Sequence, residues 1–223
     1  MIYLYGDSHA YFSFKQLSIP NQNYYQASIT MFRIGRDGVI IHFKRNMMRS
    51  GDTIVLSYGE VDCRCHIQKQ IDLGRQEDEV INDLVAKYIQ TIKNNTVGLN
   101  VQIILVGVIP PTKRNEYEEL HGPITHEFPF VGIDEDRIRY TNKINRLLEK
   151  EANLNHYFYF NPYSYYTRQD GTFKFELSDQ NVHLGDNSYF LQKFTEFYAS
   201  INIHSISHRK HVVSSVFNRI LKR

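Results

Sequence analysis

Short apolar runs alternate with amphipathic stretches along the chain. A short apolar run bounded by glycine or proline predicts a strand that is buried on both faces of a sheet. The runs of this kind are Ile2–Tyr5, Asp52–Glu60, Val101–Pro111 and His156–Phe160, and Ser28–Gly35 is a further candidate strand.

Other stretches carry apolar residues three and four positions apart, which is the spacing of one face of a helix. The clearest lies between Glu77 and Asn94, and the pattern returns over Glu135–Ala152 and Asn187–Ile201. The sequence also predicts a helix over residues 38–49. The stretch Asn115–Gly132 has no regular period and is interrupted by glycine and proline, so we predict an irregular insert there.

Strands that alternate with helices, several of them apolar throughout, indicate a mostly parallel sheet with helices on both faces. We assign residues 1–203 to one such α/β domain. Ligands of these folds bind at the carboxyl ends of the strands. Ser8, Gly35, segment 59–66 and segment 110–112 each follow a predicted strand, so we expect their loops on one rim of the sheet.

Composition narrows the class of protein. Apolar residues make up 42% of the 223 residues, which is enough for one sizeable core. The 26 Lys and Arg residues nearly balance the 24 Asp and Glu residues, so the net charge gives no overall electrostatic attraction for nucleic acid. The chain has no apolar run of about 20 residues, so we expect no stable membrane insertion. It begins without an export signal pattern, and we therefore predict a cytoplasmic protein.

The two cysteines, Cys63 and Cys65, are one residue apart, which is poor spacing for a structural disulfide. With Asp62 and His66 they form a "DCRCH" string that suggests soft metal ligands. The second ligand pair of a structural zinc site is missing, so we favour packing behind a loop and predict no metal and no cofactor.

The C-terminal segment 204–223 is basic and carries an apolar stripe at helical spacing. A basic amphipathic helix can dock on a membrane surface or on a partner. We favour packing on its own domain or on a second copy of the chain, which would make a homo-oligomer.

The first predicted strand breaks into Gly6-Asp7-Ser8-His9. A serine hydroxyl becomes a nucleophile when a base takes its proton and donors stabilise the oxyanion that forms. A tight strand-to-helix turn exposes such a hydroxyl and places backbone N–H groups beside it. Gly-Asp-Ser is also common in ordinary turns, so the tripeptide alone does not decide between a catalytic serine and an ordinary turn.

Four segments together resemble, in order, the sequence blocks of the SGNH/GDSL hydrolase family. They are "YLYGDSHA", "FRIGRDG", "LSYGEVDCR" and "LSDQNVHLG", and the resemblance covers roughly residues 1–202. It implies a three-layer α/β/α sandwich of flavodoxin-like type. It also implies an activity, the cleavage or formation of acyl esters through a serine nucleophile.

The resemblance also implies residue roles. Ser8 matches the nucleophile, whose own N–H helps to bind the oxyanion, and Gly35 matches a second oxyanion donor. His183 matches the catalytic base, and Asp179 would orient it. Asp62 matches an aspartate that we expect to brace its loop.

Asp7 and His9 flank the nucleophile candidate. For both we expect a loop-bracing or substrate-contact role.

Two departures from the family pattern stand out. Val61 occupies the position of an asparagine oxyanion donor, and Arg64 could supply a replacement. Asp179 lies four residues before His183, where the family usually has three, and Gln180 stands at the usual position. Either the loop accommodates one extra residue, or Gln180 replaces the acid and the site works as a dyad.

The leading interpretation is a serine-dependent acyl-ester hydrolase or acyltransferase. Its expected partner is a small molecule or glycan that carries an acyl group, and we favour a small acyl group such as acetyl on a carbohydrate. One alternative is a binding module that has lost catalysis, which Val61 and the shifted acid favour. The other is an interaction protein that uses the basic tail.

Overall fold

The computed structural model describes residues 1–125 and 127–202. Five parallel strands form one sheet in the order β2-β1-β3-β4-β5. Their bounds are β1 Ile2–Gly6, β2 Asn21–Tyr25, β3 Thr53–Ser57, β4 Gln102–Val106 and β5 Phe158–Phe160. This confirms the α/β class and the parallel sheet.

Helices connect the strands. Their bounds are α1 Ser8–Phe14, α2 Met31–Asp37, α3 Ile67–Asp72, α4 Glu77–Thr96, α5 Arg114–His121 and α6 Asp134–Leu154. A seventh helix, α7, begins at residue 188 and continues through residue 202. A π-helical turn, Asp62–His66, precedes α3 directly.

Two apolar cores lie on opposite faces of the sheet because neighbouring side chains of a strand point to opposite sides. Tyr3 and Tyr5 of β1 belong to the core formed with α2, α4 and α6. Ile2 and Leu4 belong to the other core, which contains Phe14 of α1 and aromatic residues of α7. The predicted three-layer α/β/α sandwich is therefore confirmed.

The predicted strand at Ser28–Gly35 is wrong, as is the predicted helix over 38–49. The second strand lies earlier, at Asn21–Tyr25, and is only half-buried because it forms one edge of the sheet. A polar edge strand lacks the apolar run by which buried strands are recognised. Residues 38–49 form turns, with one short 3₁₀ turn at Arg45–Met47.

The insert Asn115–Gly132 is partly helical. Helix α5 covers its first part and buries none of its residues. It is supported instead by surface pairs such as Arg114 with Glu118, four residues apart. This helix is short, mostly polar and has no buried residue, so it lacks the apolar content by which the longer helices were recognised, and the sequence predicted irregular structure.

Some predictions lie outside the described residues. These are the C-terminal helix over 204–223 and its role in oligomerisation. Among residues 1–125 and 127–202, no helix is long and apolar enough to cross a bilayer.

Gly35 lies inside α2, where this helix packs on α4. A Cβ added at Gly35 would lie 2.9 Å from Lys87 Cβ and 3.3 Å from the Tyr88 backbone nitrogen. Its backbone N–H belongs to the hydrogen-bond ladder of the helix, which leaves only the first turn unpaired. The expectation that Gly35 follows a strand and donates to an oxyanion is therefore wrong.

We predict that Gly35→Ala lowers the free energy of unfolding by about 1–3 kcal/mol, because the new methyl group overpacks the contact with α4. Urea denaturation of both proteins measures this difference. Arg33→Ala, on the exposed side of the same helix, is the matched control and should change stability little. Equal stability of Gly35→Ala and the parent would contradict the packing role.

Candidate active site

The strand order reverses between β1 and β3. From β1 the chain crosses to β2 on one side, whereas from β3 it continues to β4 on the other side. Such a switch point opens a crevice at the carboxyl ends of the strands. Ser8 follows β1 and Glu60 follows β3, so both lie at this crevice.

Gly6 permits the tight turn that precedes Ser8. A Cβ at this position would overlap Ala10 Cβ and would lie 2.7 Å from the carbonyl oxygen of Ser57. Only glycine therefore allows α1 to start so close to β3.

Asp7 caps α1. Its Oδ1 accepts hydrogen bonds from the N–H groups of His9 at 2.9 Å and Ala10 at 3.3 Å. Ser8 is the first residue of the helix, so its own N–H has no intrahelical acceptor. The turn thus leaves the Ser8 hydroxyl and a free backbone donor side by side.

Asp62 braces the loop before α2. Its carboxylate accepts hydrogen bonds from the N–H groups of Met31 at 2.8 Å and Phe32 at 3.2 Å. Asp7 through Oδ1 and Asp62 through both oxygens therefore accept hydrogen bonds from the first backbone donors of a helix.

Three side chains from the two ends of the chain form a hydrogen-bonded series. Ser8 Oγ lies 3.0 Å from His183 Nε2, and His183 Nδ1 lies 3.0 Å from Asp179 Oδ2. All three are half-buried. Serine, imidazole and carboxylate in this order and at these distances can transfer a proton away from the hydroxyl.

The extra residue between Asp179 and His183 loops outward. Gln180 has a φ of +62° and is exposed, and its carbonyl accepts a hydrogen bond from His121 Nε2. Asp179 Oδ1 meanwhile accepts the N–H groups of Asn181 and His183. The structure thus places Asp179, rather than Gln180, against the imidazole.

The electrostatics of the pair favour a neutral base and an ionised acid. Burial lowers the pKa of His183, and His9 lowers it further, against the opposing effect of Asp179. Burial raises the pKa of Asp179, but the hydrogen bonds that it accepts from His183 and Asn181, together with the charge of His183, outweigh burial and lower the pKa overall. At neutral pH, Nδ1 can then donate to Asp179 while Nε2 accepts from Ser8.

Behind these residues lies a buried row of charged side chains, of which the sequence analysis singled out His9 and Arg64 but not Glu60. His9 Nε2 is 2.8 Å from Glu60 Oε2, and Glu60 Oε1 is 3.0 Å from Arg64 Nε. The first distance suits an ion pair, although the ring nitrogen is not aligned for a directed hydrogen bond. The signal in the sequence was a carboxylate directly after a buried strand, in Gly59-Glu60.

Arg64 therefore has a carboxylate partner. No hydrogen bond joins it to Ser8 within residues 1–125 and 127–202, and its guanidinium lies over the ring of Phe130. Val61, at the place of the missing amide donor, is buried. That Arg64 replaces this donor stays a prediction.

Cys63 and Cys65 are buried free thiols in the π-helical turn. In the part of the chain that the structure describes, no three His, Cys, Asp or Glu side chains converge as metal ligands would.

A cavity of about 400 Å³ lies on the same rim, between the segments that follow β4 and β5. Apolar surface comes from Pro110 and Pro111, whereas Asn142, Ser164 and Thr167 supply amide and hydroxyl groups. This volume lies within the range of small-molecule sites.

No family model and no curated protein sequence matches the chain. Several solved structures do. A protein described as a platelet activating factor from Streptococcus pneumonia is 19% identical, with a TM-score of 0.58 over 88% of this chain and 82% of its own. A protein described as an acylhydrolase from Bacteroides fragilis is 13% identical, with a TM-score of 0.57 over 91% and 86%.

A GDSL-like lipase from Bacteroides thetaiotaomicron is 14% identical, with a TM-score of 0.55 over 89% of this chain and 86% of its own. At such identities the likeness concerns the path of the backbone. Together with the five-stranded parallel sheet, it shows that this chain has the SGNH/GDSL hydrolase fold.

Proposed function

We propose that the protein is an acyl-ester hydrolase or acyltransferase in which Ser8 is the nucleophile. The observation that carries the proposal is the 3.0 Å distance between Ser8 Oγ and His183 Nε2, with Asp179 on the opposite ring nitrogen. The fold shared with a GDSL-like lipase adds support.

The reaction has two halves. His183 Nε2 takes the hydroxyl proton while Ser8 Oγ attacks the acyl carbon, and the oxyanion forms beside the free N–H of Ser8. The oxyanion collapses, the bond to the leaving alcohol breaks, and His183 gives its proton to that alcohol. In the second half, water or an acceptor hydroxyl loses a proton to His183 and attacks the acyl-serine. The bond between the acyl carbon and Ser8 Oγ then breaks, and His183 returns the proton to Ser8 Oγ.

For the substrate we propose a small acyl group, such as acetyl, on a carbohydrate. The support is the cavity on the same rim of the sheet, whose amide and hydroxyl groups can form hydrogen bonds with the hydroxyl groups of a sugar. A panel of acyl donors, with and without sugar acceptors, tests this: products that carry the acyl group on the sugar indicate transfer, and free acid indicates hydrolysis. Equal rates on acylated sugars and on simple alkyl esters would argue against a carbohydrate site.

The second candidate is a binding module without catalysis, which the apolar Val61 at a donor position favours. A serine-directed fluorophosphonate probe separates the two, because labelling requires an activated hydroxyl. The interaction protein that uses the basic tail is tested by deleting residues 204–223, since activity of the remaining domain would make the tail accessory.

We predict that Ser8→Ala abolishes both fluorophosphonate labelling and ester turnover, a loss of several orders of magnitude, because the attacking oxygen is removed. Active-site labelling detected by mass spectrometry, together with a chromogenic ester assay, measures both. Ser18→Ala, at an exposed serine, is the control. Turnover that persists in purified Ser8→Ala would refute the proposal.

We predict that Asp179→Asn lowers kcat/KM by about 10²–10⁴, because an amide no longer holds the imidazole in the productive tautomer. Gln180→Gly, which suits the φ of +62° and removes the competing amide, should retain most of the activity. The reverse ranking of these two variants would support the dyad in which Gln180 replaces the acid.

We predict that Arg64→Ala lowers turnover by about 10²–10³ if its guanidinium donates to the oxyanion. Because this change also leaves Glu60 with one partner fewer, the double variant Glu60→Gln/Arg64→Ala is measured beside it. Unchanged turnover in either protein rules out Arg64 as the replacement donor.

A further inference from the structure

The imidazole of His183 is held between two rings. Phe12 stacks on one side, with ring centroids 4.4 Å apart and planes 10° from parallel. The ring of His9 lies at 4.7 Å and is tilted by 48°. His9 follows the proposed nucleophile in sequence, so α1 brings both residues to the same base.

We propose that His9 is a positioning residue of the site, held as a buried imidazolium by Glu60 so that its charge keeps His183 unprotonated. The inference rests on the proposed function, because it assigns the device that prepares the base for reaction.

The first argument is the burial of Glu60. Only 5% of this residue is exposed, and a carboxylate at such a depth requires partners of opposite charge. Arg64 Nε lies between the two oxygens, 3.0 Å from Oε1 and 3.2 Å from Oε2, and His9 Nε2 lies 2.8 Å from Oε2. A neutral His9 would leave Oε2 with only the longer of its two contacts, the one to Arg64.

The second argument is the set of charged groups around His9. Asp7 and Glu60 are its negative neighbours, Arg64 is a positive neighbour, and His183 would be a second positive neighbour if it were protonated. Burial works against protonation of His9, but Glu60 and then Asp7 outweigh it, so the pKa of His9 is raised. Glu60 stays ionised, because Arg64 and His9 hold its pKa at about 2 despite burial.

Asp7 contributes the second negative charge, with burial raising its pKa to about 6, so it is mostly ionised at neutral pH. Its Oδ2 and the Nδ1 of His9 are buried, lack hydrogen-bond partners among the described residues, and belong to residues that line one small cavity. The two negative charges of Asp7 and Glu60 are thus matched by two positive charges, those of Arg64 and His9, only when His9 is protonated.

The consequence concerns His183. The charged groups that act on it are Asp179, His9 and Glu60, and His9 opposes a second positive charge nearby. A base that stays neutral to lower pH can accept the serine proton there, and its conjugate acid gives the proton more readily to the leaving alcohol. Phe12 packs against the ring without adding charge.

The test is the protonation of His183 with and without the neighbouring charge. His9→Phe keeps an aromatic ring and removes the cation, so the pKa of His183 should rise. In a plot of log kcat/KM against pH, the acid limb should then move to higher pH by about one unit. In His9→Phe/Glu60→Gln the upward shift should be smaller, because Glu60 itself raises the pKa of His183. His66→Phe makes the same change in the neighbouring turn and is the control, in which the acid limb should stay at the same pH as in the parent protein.

A proton NMR titration of the ring signals, on the complete chain without substrate, reports the same change independently of turnover. We expect His9 of the parent protein to remain protonated above pH 6.5 and His183 to titrate below it. Titration of His9 at or below pH 6.5, or an unchanged His183 in folded His9→Phe, overturns the inference. An inactive parent protein with the expected titrations would refute the proposed function alone.

Discussion

Docking of the segment 178–202 on α1 is the constraint on which the site depends. Ser8 and His183 are 175 positions apart, so their contact requires that the two ends of the described chain share one face of the sheet. Phe14 packs edge-on against Phe190 and Phe194 of α7. Asn187 adds hydrogen bonds to the last carbonyls of α1. Apolar burial supplies most of the adhesion, and the amide fixes the alignment.

The site is built around charges that are expensive to bury. Glu60 and Arg64 lie behind the imidazole with exposures of 5% and 8%, and removing one partner of such a pair leaves an uncompensated charge. Buried ion pairs contribute little net stability. Their effect on the protonation of His183 therefore explains their presence here better than a contribution to the stability of the fold does.

The sequence predicted those elements that are determined by burial. β1, β3 and β4 are apolar because helices cover both their faces, and α4 and α6 show one apolar stripe because one side of each packs on the sheet. The edge strand β2 and the exposed helix α5 carry no such signal and were missed. Gly35 was then misplaced, because assigning Ser28–Gly35 to a strand put its glycine at the rim. Ser8 first became a candidate because it follows the break of the first strand. Its role as nucleophile, and the choice of Asp179 and His183, came from the family resemblance, which no periodicity could supply.

The polar residues at the rim divide by how they use their hydrogen bonds. Asp62 binds the backbone donors that begin α2, and Oδ1 of Asp7 does the same for α1, so these carboxylates hold loops in place. The N–H of Ser8 is different, because it lies at the start of a helix and has no acceptor within that helix. A substrate oxygen could accept its hydrogen bond. Val61 belongs to neither group, since an apolar side chain can neither brace a loop nor donate. A catalytic site on this rim therefore depends more heavily on the backbone of Ser8 than one in which an amide stands at position 61.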